Sequence, residues 1–215
     1  MKKILIILFS LLFLNNFANS ESRFGELTEM RDEKMRGKVG QWVRPHPGPF
    51  IWNHIESKKG DFFWEDVDQH VVYAQENNQT ILATIWPYAN WDQKSCKRKK
   101  VKSPFGKRFT KYLSKPCSMD DYKNFLIKLV DRYDGDGFND MSGLTKPIKY
   151  WDVMNEPKFK MFFKGSKDDF IEIFNFSSKA IKEKQPEAVI VMAGAAGMFP
   201  KNKKYWKSVL PEIKD

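Results

Sequence analysis

Cysteine is scarce in this chain of 215 residues, which contains only Cys96 and Cys117. Two cysteines without a histidine nearby do not supply the ligands of a zinc site, and we therefore expect no metal. Residues 134–140 have the acidic and glycine content of a calcium loop but lack its full ligand pattern, so we predict a turn. The sequence contains no glycine fingerprint for phosphate and no short internal repeat, and we expect no cofactor.

Long hydrophobic runs are also missing, apart from one at the start of the chain. Ile4–Phe13 is an almost unbroken apolar run that follows two lysines and precedes Ala-Asn-Ser at positions 18–20, a cleavage pattern. The run is too short to span a bilayer comfortably, and no cysteine in it could carry a lipid. We predict a signal peptide over residues 1–20, a secreted or periplasmic protein, and no stable membrane insertion after cleavage.

Acidic residues are outnumbered: 27 of them stand against 37 lysines and arginines, which gives a formal net charge of +10. Lysine dominates this excess, with one concentration at Lys94–Lys115. A solvated lysine-rich surface explains such a balance, and an acidic polysaccharide is an alternative partner. Nucleic acid is a further alternative, but helix-turn-helix, zinc and RNA-recognition patterns are absent, so we expect no nucleic acid partner.

The two cysteines bracket the basic segment. In an exported protein, a disulfide between Cys96 and Cys117 would close a surface loop, and we predict this bond. Two free thiols are the alternative.

Apolar, β-branched stretches alternate with amphipathic helical stretches along the chain, which predicts a parallel sheet of βα units. The predicted strands are a faint one near Ser22–Gly25, then Val39–His46, Thr80–Trp86, the start of Ile148–Pro157, and Ala188–Ala193. The predicted helices are Glu26–Lys38, Trp64–Asn77, Asp121–Tyr133, Lys167–Glu183 and one within Tyr205–Ile213.

The stretch Ile148–Pro157 reads IKYWDVMNEP and ends a buried strand in an amide, an acid and a proline. Pro157 cannot donate to a strand ladder, so the strand is predicted to stop at Glu156. In α/β barrels the active site lies at the C-terminal ends of the parallel strands, which is the position of this carboxylate. Glu156 could protonate a glycosidic oxygen while Asn155 binds a neighbouring hydroxyl. The alternative is a strand end capped by solvated polar groups.

Aromatic residues make up 15% of the chain, and two of them close the third predicted strand in the sequence Trp86-Pro87-Tyr88. Because indole and phenol rings stack on sugars, we predict that Trp86 and Tyr88 contact a carbohydrate substrate. Packing within the loop is the alternative.

The whole phrase around Asn155 and Glu156 resembles the fourth-strand motif of retaining glycoside hydrolases of the (β/α)8-barrel clan A, which includes cellulases, β-xylosidases and β-galactosidases. The resemblance extends through residues 42–68 and 81–92. It implies that Glu156 is the acid/base and that Asn155 binds the sugar 2-hydroxyl. It also implies that Arg44, on the second strand, tunes the acid, that His46 lies at the same rim, and that Glu56 is structural.

Counting strands from this motif places the end of the chain just beyond strand five. A closed (β/α)8 barrel needs eight strands in about 250 residues, so the resemblance implies a TIM barrel truncated here, with residues 21–215 as its N-terminal part. A retaining enzyme needs a second carboxylate ~5–5.5 Å from the first, and in this clan it ends strand seven. We therefore expect a glycoside hydrolase whose nucleophile lies outside this chain. The alternatives are a non-catalytic carbohydrate-binding relative and a basic protein without chemistry.

Overall fold

The computed structural model describes residues 25–28, 40–102, 109–195, 197 and 199–214. The predicted signal peptide, residues 1–20, lies outside the described residues, as does most of the predicted helix Glu26–Lys38. The strands are β1 Gly25–Thr28, β2 Trp42–Pro45, β3 Glu56–Lys58, β4 Asp61–Phe62, β5 Thr80–Ile85, β6 Tyr150–Val153 and β7 Val189–Met192. The α-helices are α1 Trp52–Ile55, α2 Glu65–Glu76, α3 Asn90–Ser95, α4 Met119–Tyr133, α5 Lys167–Lys184 and α6 Pro200–Val209, followed by a 3-10 turn at Leu210–Glu212.

Five strands form one parallel sheet in the order β1-β2-β5-β6-β7, and helices α2, α4 and α5 connect successive strands from β2 onward. The predicted α/β architecture is therefore confirmed, and its strand order is that of consecutive βα units in a barrel. A separate antiparallel hairpin, β3–β4, follows the second strand of the sheet. Within the described residues, no helix combines the length and apolar character needed to cross a bilayer.

The two faces of the sheet carry different residues because side chains alternate along a strand. Val43 and Trp151 belong to the buried apolar core that includes helices α2, α4 and α5. Arg44 and Asp152, one position further along, lie on the opposite face. We call this opposite face the inner face. Thr84 and Asp152 are register partners on β5 and β6, which places both on the inner face.

The long helices α4 and α5 cover the outer side of the sheet. Each begins at a serine whose side chain accepts from a backbone N–H, Ser118 from Asp121 and Ser166 from Asp169. At Ser166 the aspartate also accepts from the serine N–H, which completes a capping box. The two helices are joined in the core by a hydrogen bond of 3.0 Å between the hydroxyls of Tyr122 and Ser177.

Three predicted boundaries are wrong, and one of them is the start of the last helix, which lies at Pro200 and not within Tyr205–Ile213. The first strand includes Gly25–Thr28, so residues 26–28 are strand and not helix, while residues 22–24 lie outside the described residues. Parallel pairing with β2 overrides the local helical composition there. Strand β6 ends at Val153 and not at Glu156, because the backbone of Met154 turns to a φ of 70°.

Candidate active site

Asn155 and Glu156 lie in a sharp turn at the C-terminal end of β6. Met154 still donates its N–H to the Ile85 carbonyl, at 3.0 Å, and the chain then leaves the sheet. Met154 and Glu156 have φ values of 70° and 44°, in the left-handed region that side chains other than glycine rarely adopt. Such backbone strain persists only where the surroundings impose it, and it concentrates at functional sites.

Arg44 links the inner face of the sheet to this turn. Its Nε donates to Thr84 Oγ1 at 2.9 Å, and its Nη2 donates to Asp152 Oδ2 at 2.6 Å and to Asn155 Oδ1 at 3.1 Å. Thr84 in turn donates its hydroxyl to Asp152 Oδ2 at 2.9 Å. Because Arg44 can only donate, the carbonyl oxygen of Asn155 must face it. The amide NH2 of Asn155 therefore points away from Arg44, as a donor for another group.

Asp152 is the buried anchor of this network, since its side chain is only 3% exposed. Burial raises the pKa of Asp152, and the charge and hydrogen bonds of Arg44, together with the Thr84 hydroxyl, oppose that shift. The pairing keeps a carboxylate in the inner face of the sheet next to Arg44. The sequence pointed to Arg44 but assigned no role to Asp152, since only the register of β5 and β6 brings Asp152 opposite Thr84.

The exit of β7 also contacts the turn. A methyl group on Gly194 would lie 3.3 Å from Asn155 Oδ1 and 3.7 Å from Glu156 Cγ. The glycine therefore leaves room for both side chains. Asn155 is 6% exposed, whereas Glu156 is partly open to solvent. The sequence showed a glycine-rich segment here, but not that it abuts the Asn-Glu pair.

His46 follows β2 at the same edge of the sheet. Its ring centroid lies 5.6 Å from that of Trp86. Burial, and then the nearby charge of Arg44, lower the pKa of His46 to about 4. The imidazole is therefore neutral at neutral pH, beside a fixed positive charge.

Trp86 and Tyr88 do not lie where we expected. Both side chains are fully buried; the Trp86 indole N–H donates to the Pro47 carbonyl at 2.8 Å, and the Tyr88 hydroxyl donates to the Phe162 carbonyl at 2.7 Å. Phe109 packs edge-on against Trp86, with ring centroids 5.0 Å apart. This corrects the expectation that Trp86 and Tyr88 form a sugar platform: neither ring has a face open to a ligand, and the pair packs the loops after β2, β5 and β6 together.

Glu56 is structural, as the resemblance implied. It is 2% exposed, and its two carboxylate oxygens accept from the Trp52 indole N–H and the Gly60 backbone N–H, each at 2.6 Å. Both oxygens are therefore committed to holding the β3–β4 hairpin.

Cys96 and Cys117 form the predicted disulfide, with Cα atoms 5.9 Å apart. The buried Asp92 supports the same junction by accepting from the backbone N–H groups of Cys117 and Ser118, at 2.8 and 2.9 Å. The basic segment between the cysteines is thus closed at its base.

The last turn of α4 and the loop after it, which we predicted as a turn over residues 134–140, bring together Asp131, Asp134 and Asp136. The Lys184 ammonium lies among them, 2.5, 3.7 and 3.1 Å from their carboxylate oxygens. Burial raises the pKa of Asp134 to about 6. A lysine therefore supplies the positive charge that this acidic cluster requires.

No family model matches the chain, and no curated protein matches it in sequence. Solved structures do match. A xylanase from Thermotoga petrophila in complex with xylobiose is 14% identical, with a TM-score of 0.56 over 88% of this chain and 54% of its own. A xylanase from Clostridium stercorarium is 15% identical, with a TM-score of 0.53 over 81% of this chain and 51% of its own. A glucosidase from Croceicoccus marinus is 16% identical, with a TM-score of 0.53 over 80% of this chain and 35% of its own.

At such low identity these likenesses show the fold alone. The described residues have the parallel βα arrangement found in these glycoside hydrolases. The chain spans about half the length of the two xylanases and about a third of the glucosidase.

Proposed function

We propose that this protein hydrolyses O-glycosidic bonds in a polysaccharide or oligosaccharide by a retaining mechanism that uses two carboxylates. Glu156 is the general acid and then the general base. The observation that carries the proposal is the strained turn at the end of β6, where Glu156 stands partly open beside an asparagine that Arg44 orients. Its fold, shared with glycoside hydrolases, supports the same class of reaction.

The proposed reaction has two steps. In the first, Glu156 donates its proton to the glycosidic oxygen while a second carboxylate attacks the anomeric carbon, and the aglycone leaves. In the second, Glu156 takes a proton from water, and the water oxygen releases the sugar from the covalent intermediate. Of the acids described near this edge, Glu56 and Asp152 are held by their own partners, so the nucleophile is proposed to come from outside these 215 residues.

Asn155 is proposed to bind the sugar hydroxyl next to the reacting carbon. Since Arg44 occupies its carbonyl oxygen, the amide NH2 is the group left to donate to that hydroxyl. Such a bond strengthens in the transition state and contributes to catalysis. The neutral His46 adds no second positive charge at this edge.

Export is part of the proposal. The signal-peptide pattern over residues 1–20 predicts it, and the disulfide between Cys96 and Cys117 suits an oxidising compartment. An exported polysaccharide hydrolase meets its substrate outside the cytoplasm.

A non-catalytic carbohydrate-binding relative is the second candidate. The commitment of Glu56 and Asp152 to other partners favours it, because no second reactive carboxylate has been found near Glu156 within the described part of the chain.

The experiment uses the full-length natural protein and a panel of β-glycans and β-oligosaccharides. Proton NMR of the first-formed product should show the anomeric configuration of the substrate, and Glu156→Gln should lose this hydrolysis. Glu187→Gln, which changes an exposed glutamate after α5, is the matched control and should keep it. Inversion at the anomeric centre, or turnover that survives Glu156→Gln, would contradict the mechanism. Glycan binding without hydrolysis by the unaltered protein would establish the second candidate.

A further inference from the structure

The positive charge of this protein is concentrated in one segment. Residues 94–115, here called the basic loop, contain ten of the 37 lysines and arginines and none of the 27 acidic residues. The remainder of the chain carries 27 basic and 27 acidic residues and is formally neutral. The net charge of +10 is therefore a property of the basic loop and not of the surface as a whole.

The basic loop lies at the same edge of the sheet as Glu156. It begins at the end of α3, and its Phe109 is buried against Trp86, which follows β5 directly. Its Leu113 carbonyl accepts from the N–H of Lys164, in the loop that follows Glu156, at 2.6 Å. The basic loop and the loop that carries the proposed acid are thus joined backbone to backbone.

The two ends of the basic loop are fixed to each other by several contacts, and these contacts keep its positive charges close together. Besides the disulfide and Asp92, the buried Gln93 donates its side-chain amide to the carbonyls of Ser114 and Lys115, at 2.8 and 3.1 Å. Mutual repulsion of lysines opposes such an arrangement, and a covalent bond with buried hydrogen bonds offsets that repulsion.

In the described part of the basic loop, seven of the eight basic side chains are exposed and form no salt bridge with an acid of the described residues. Lys115 pairs with Glu172, at 2.5 Å. The others in the described part of the loop are Lys94, Lys97, Arg98, Lys99, Lys100, Lys102 and Lys111. Elsewhere, some lysines pair with acids, as Lys123 does with Glu183 and Lys184 with Asp131. The loop therefore presents a concentrated positive field to solvent.

We propose that the basic loop binds an anionic polysaccharide, one that carries carboxylate or sulfate groups, and that this glycan is the substrate class of the site at Glu156. The inference rests on the proposed function for its catalytic part. A polysaccharide bound by the loop would extend along the adjoining edge of the sheet, where Glu156 lies. Nucleic acid fits less well, because binding of single strands relies on exposed aromatic rings, and the two aromatic residues in the described part of the loop, Phe109 and Tyr112, are buried.

The test measures binding separately from hydrolysis. The full-length natural protein and its Glu156→Gln variant are titrated with heparin, with hyaluronan and with neutral xylan. Each titration is repeated at several NaCl concentrations around physiological ionic strength, where exposed charges are screened beyond ~8 Å. The loop variant changes Lys97, Arg98, Lys99 and Lys100 to glutamine. A control variant changes four exposed lysines of the helices, Lys128, Lys179, Lys204 and Lys207, and so removes the same charge.

We expect heparin or hyaluronan, or both, to bind and xylan to bind much more weakly. The loop variant should lose affinity at least about tenfold with a shallower salt dependence, while the control variant changes little. The stronger of the two anionic glycans identifies sulfate or carboxylate as the group recognised. Equal losses in both variants, equal affinity for xylan, or tighter binding of a single-stranded oligonucleotide would overturn the proposal. Binding that persists while Glu156→Gln still hydrolyses the glycan would overturn the proposed mechanism and leave the loop assignment standing.

Discussion

At the scale of single residues, Arg44 and Asp152 connect the packing of the sheet to the candidate active site. A buried carboxylate without a partner costs several kcal/mol, and Arg44 offsets part of that cost here. The same guanidinium then reaches Asn155. The orientation of the asparagine amide thus depends on an arginine that is itself held by a buried carboxylate of the sheet.

A double-mutant cycle tests this connection. Asp152→Ala leaves the partly buried Arg44 without its carboxylate and should destabilise the protein by about 3–5 kcal/mol. Arg44→Met alone should cost a similar amount, because Asp152 then loses its counter-charge. The two changes together should cost less than the sum of their separate effects, as measured by urea unfolding. Strict additivity would show that the two residues do not act as a pair.

The lowered pKa of His46 predicts how the free energy of unfolding depends on pH. Its pKa is about 4 in the folded protein against an ordinary value of 6.5, so between these values the unfolded chain binds more protons. The contribution of His46 to the free energy of unfolding should therefore be present above pH 6.5 and be lost as the pH falls towards 4. Asp134, with its pKa raised to about 6, acts in the opposite sense, since its contribution is lost as the pH rises through 6.

The difference between the protein and its His46→Gln variant isolates the histidine. Urea unfolding from pH 4 to 7 should show the protein losing stability on acidification more steeply than the variant does. Parallel pH profiles would mean that His46 titrates normally in the folded state.

At the scale of secondary-structure elements, the sequence predicts β5 and the long helices closely, because their apolar residues keep one period over many positions. It assigns residues 26–28 of β1 to a helix, since four residues carry too little pattern and only pairing with β2 makes them a strand. The exit aromatics Trp86 and Tyr88 could not be assigned from sequence, because Phe109 and Phe162, which help to cover them, come from later loops. Asn155 and Glu156 could be found because a proline and a motif mark them.

The disulfide that closes the basic loop should stabilise the folded protein. The disulfide joins residues 21 positions apart, and closing a loop of that size should stabilise the protein by about 3 kcal/mol through the unfolded chain. Intact-mass analysis of the exported protein should show no alkylation of Cys96 or Cys117 until a reductant is added. Labelling of either thiol in the folded, unreduced protein would contradict the pairing.

At the scale of the whole molecule, β1 and β7 are the edges of the sheet among the described residues. Val189, on the inner face of β7, is 45% exposed, although a closed barrel would bury such a residue. Open parallel edges and an exposed apolar face favour aggregation.

Residues 21–215 expressed alone should therefore be poorly soluble or lack fixed tertiary packing, and they should hydrolyse no glycoside. The full-length natural protein should fold cooperatively and be active. Near-UV circular dichroism and glycosidase assays distinguish these outcomes. A cooperative fold of residues 21–215 whose glycosidase activity is abolished by Glu156→Ala would contradict this view and require a second catalytic acid within them, with Glu56 the first suspect.

The central claim is that Glu156 donates the proton to the leaving group, and its most direct test is the dependence of Glu156→Gln on that leaving group. In the full-length natural protein, the variant should lose about 10²–10⁴-fold in kcat/KM on a natural glycan, whose leaving alcohol needs a proton. On an aryl glycoside with an acidic phenol, which needs little protonation, its loss should be far smaller. Equal losses on the two substrates, or unchanged hydrolysis of the natural glycan, would contradict the assignment.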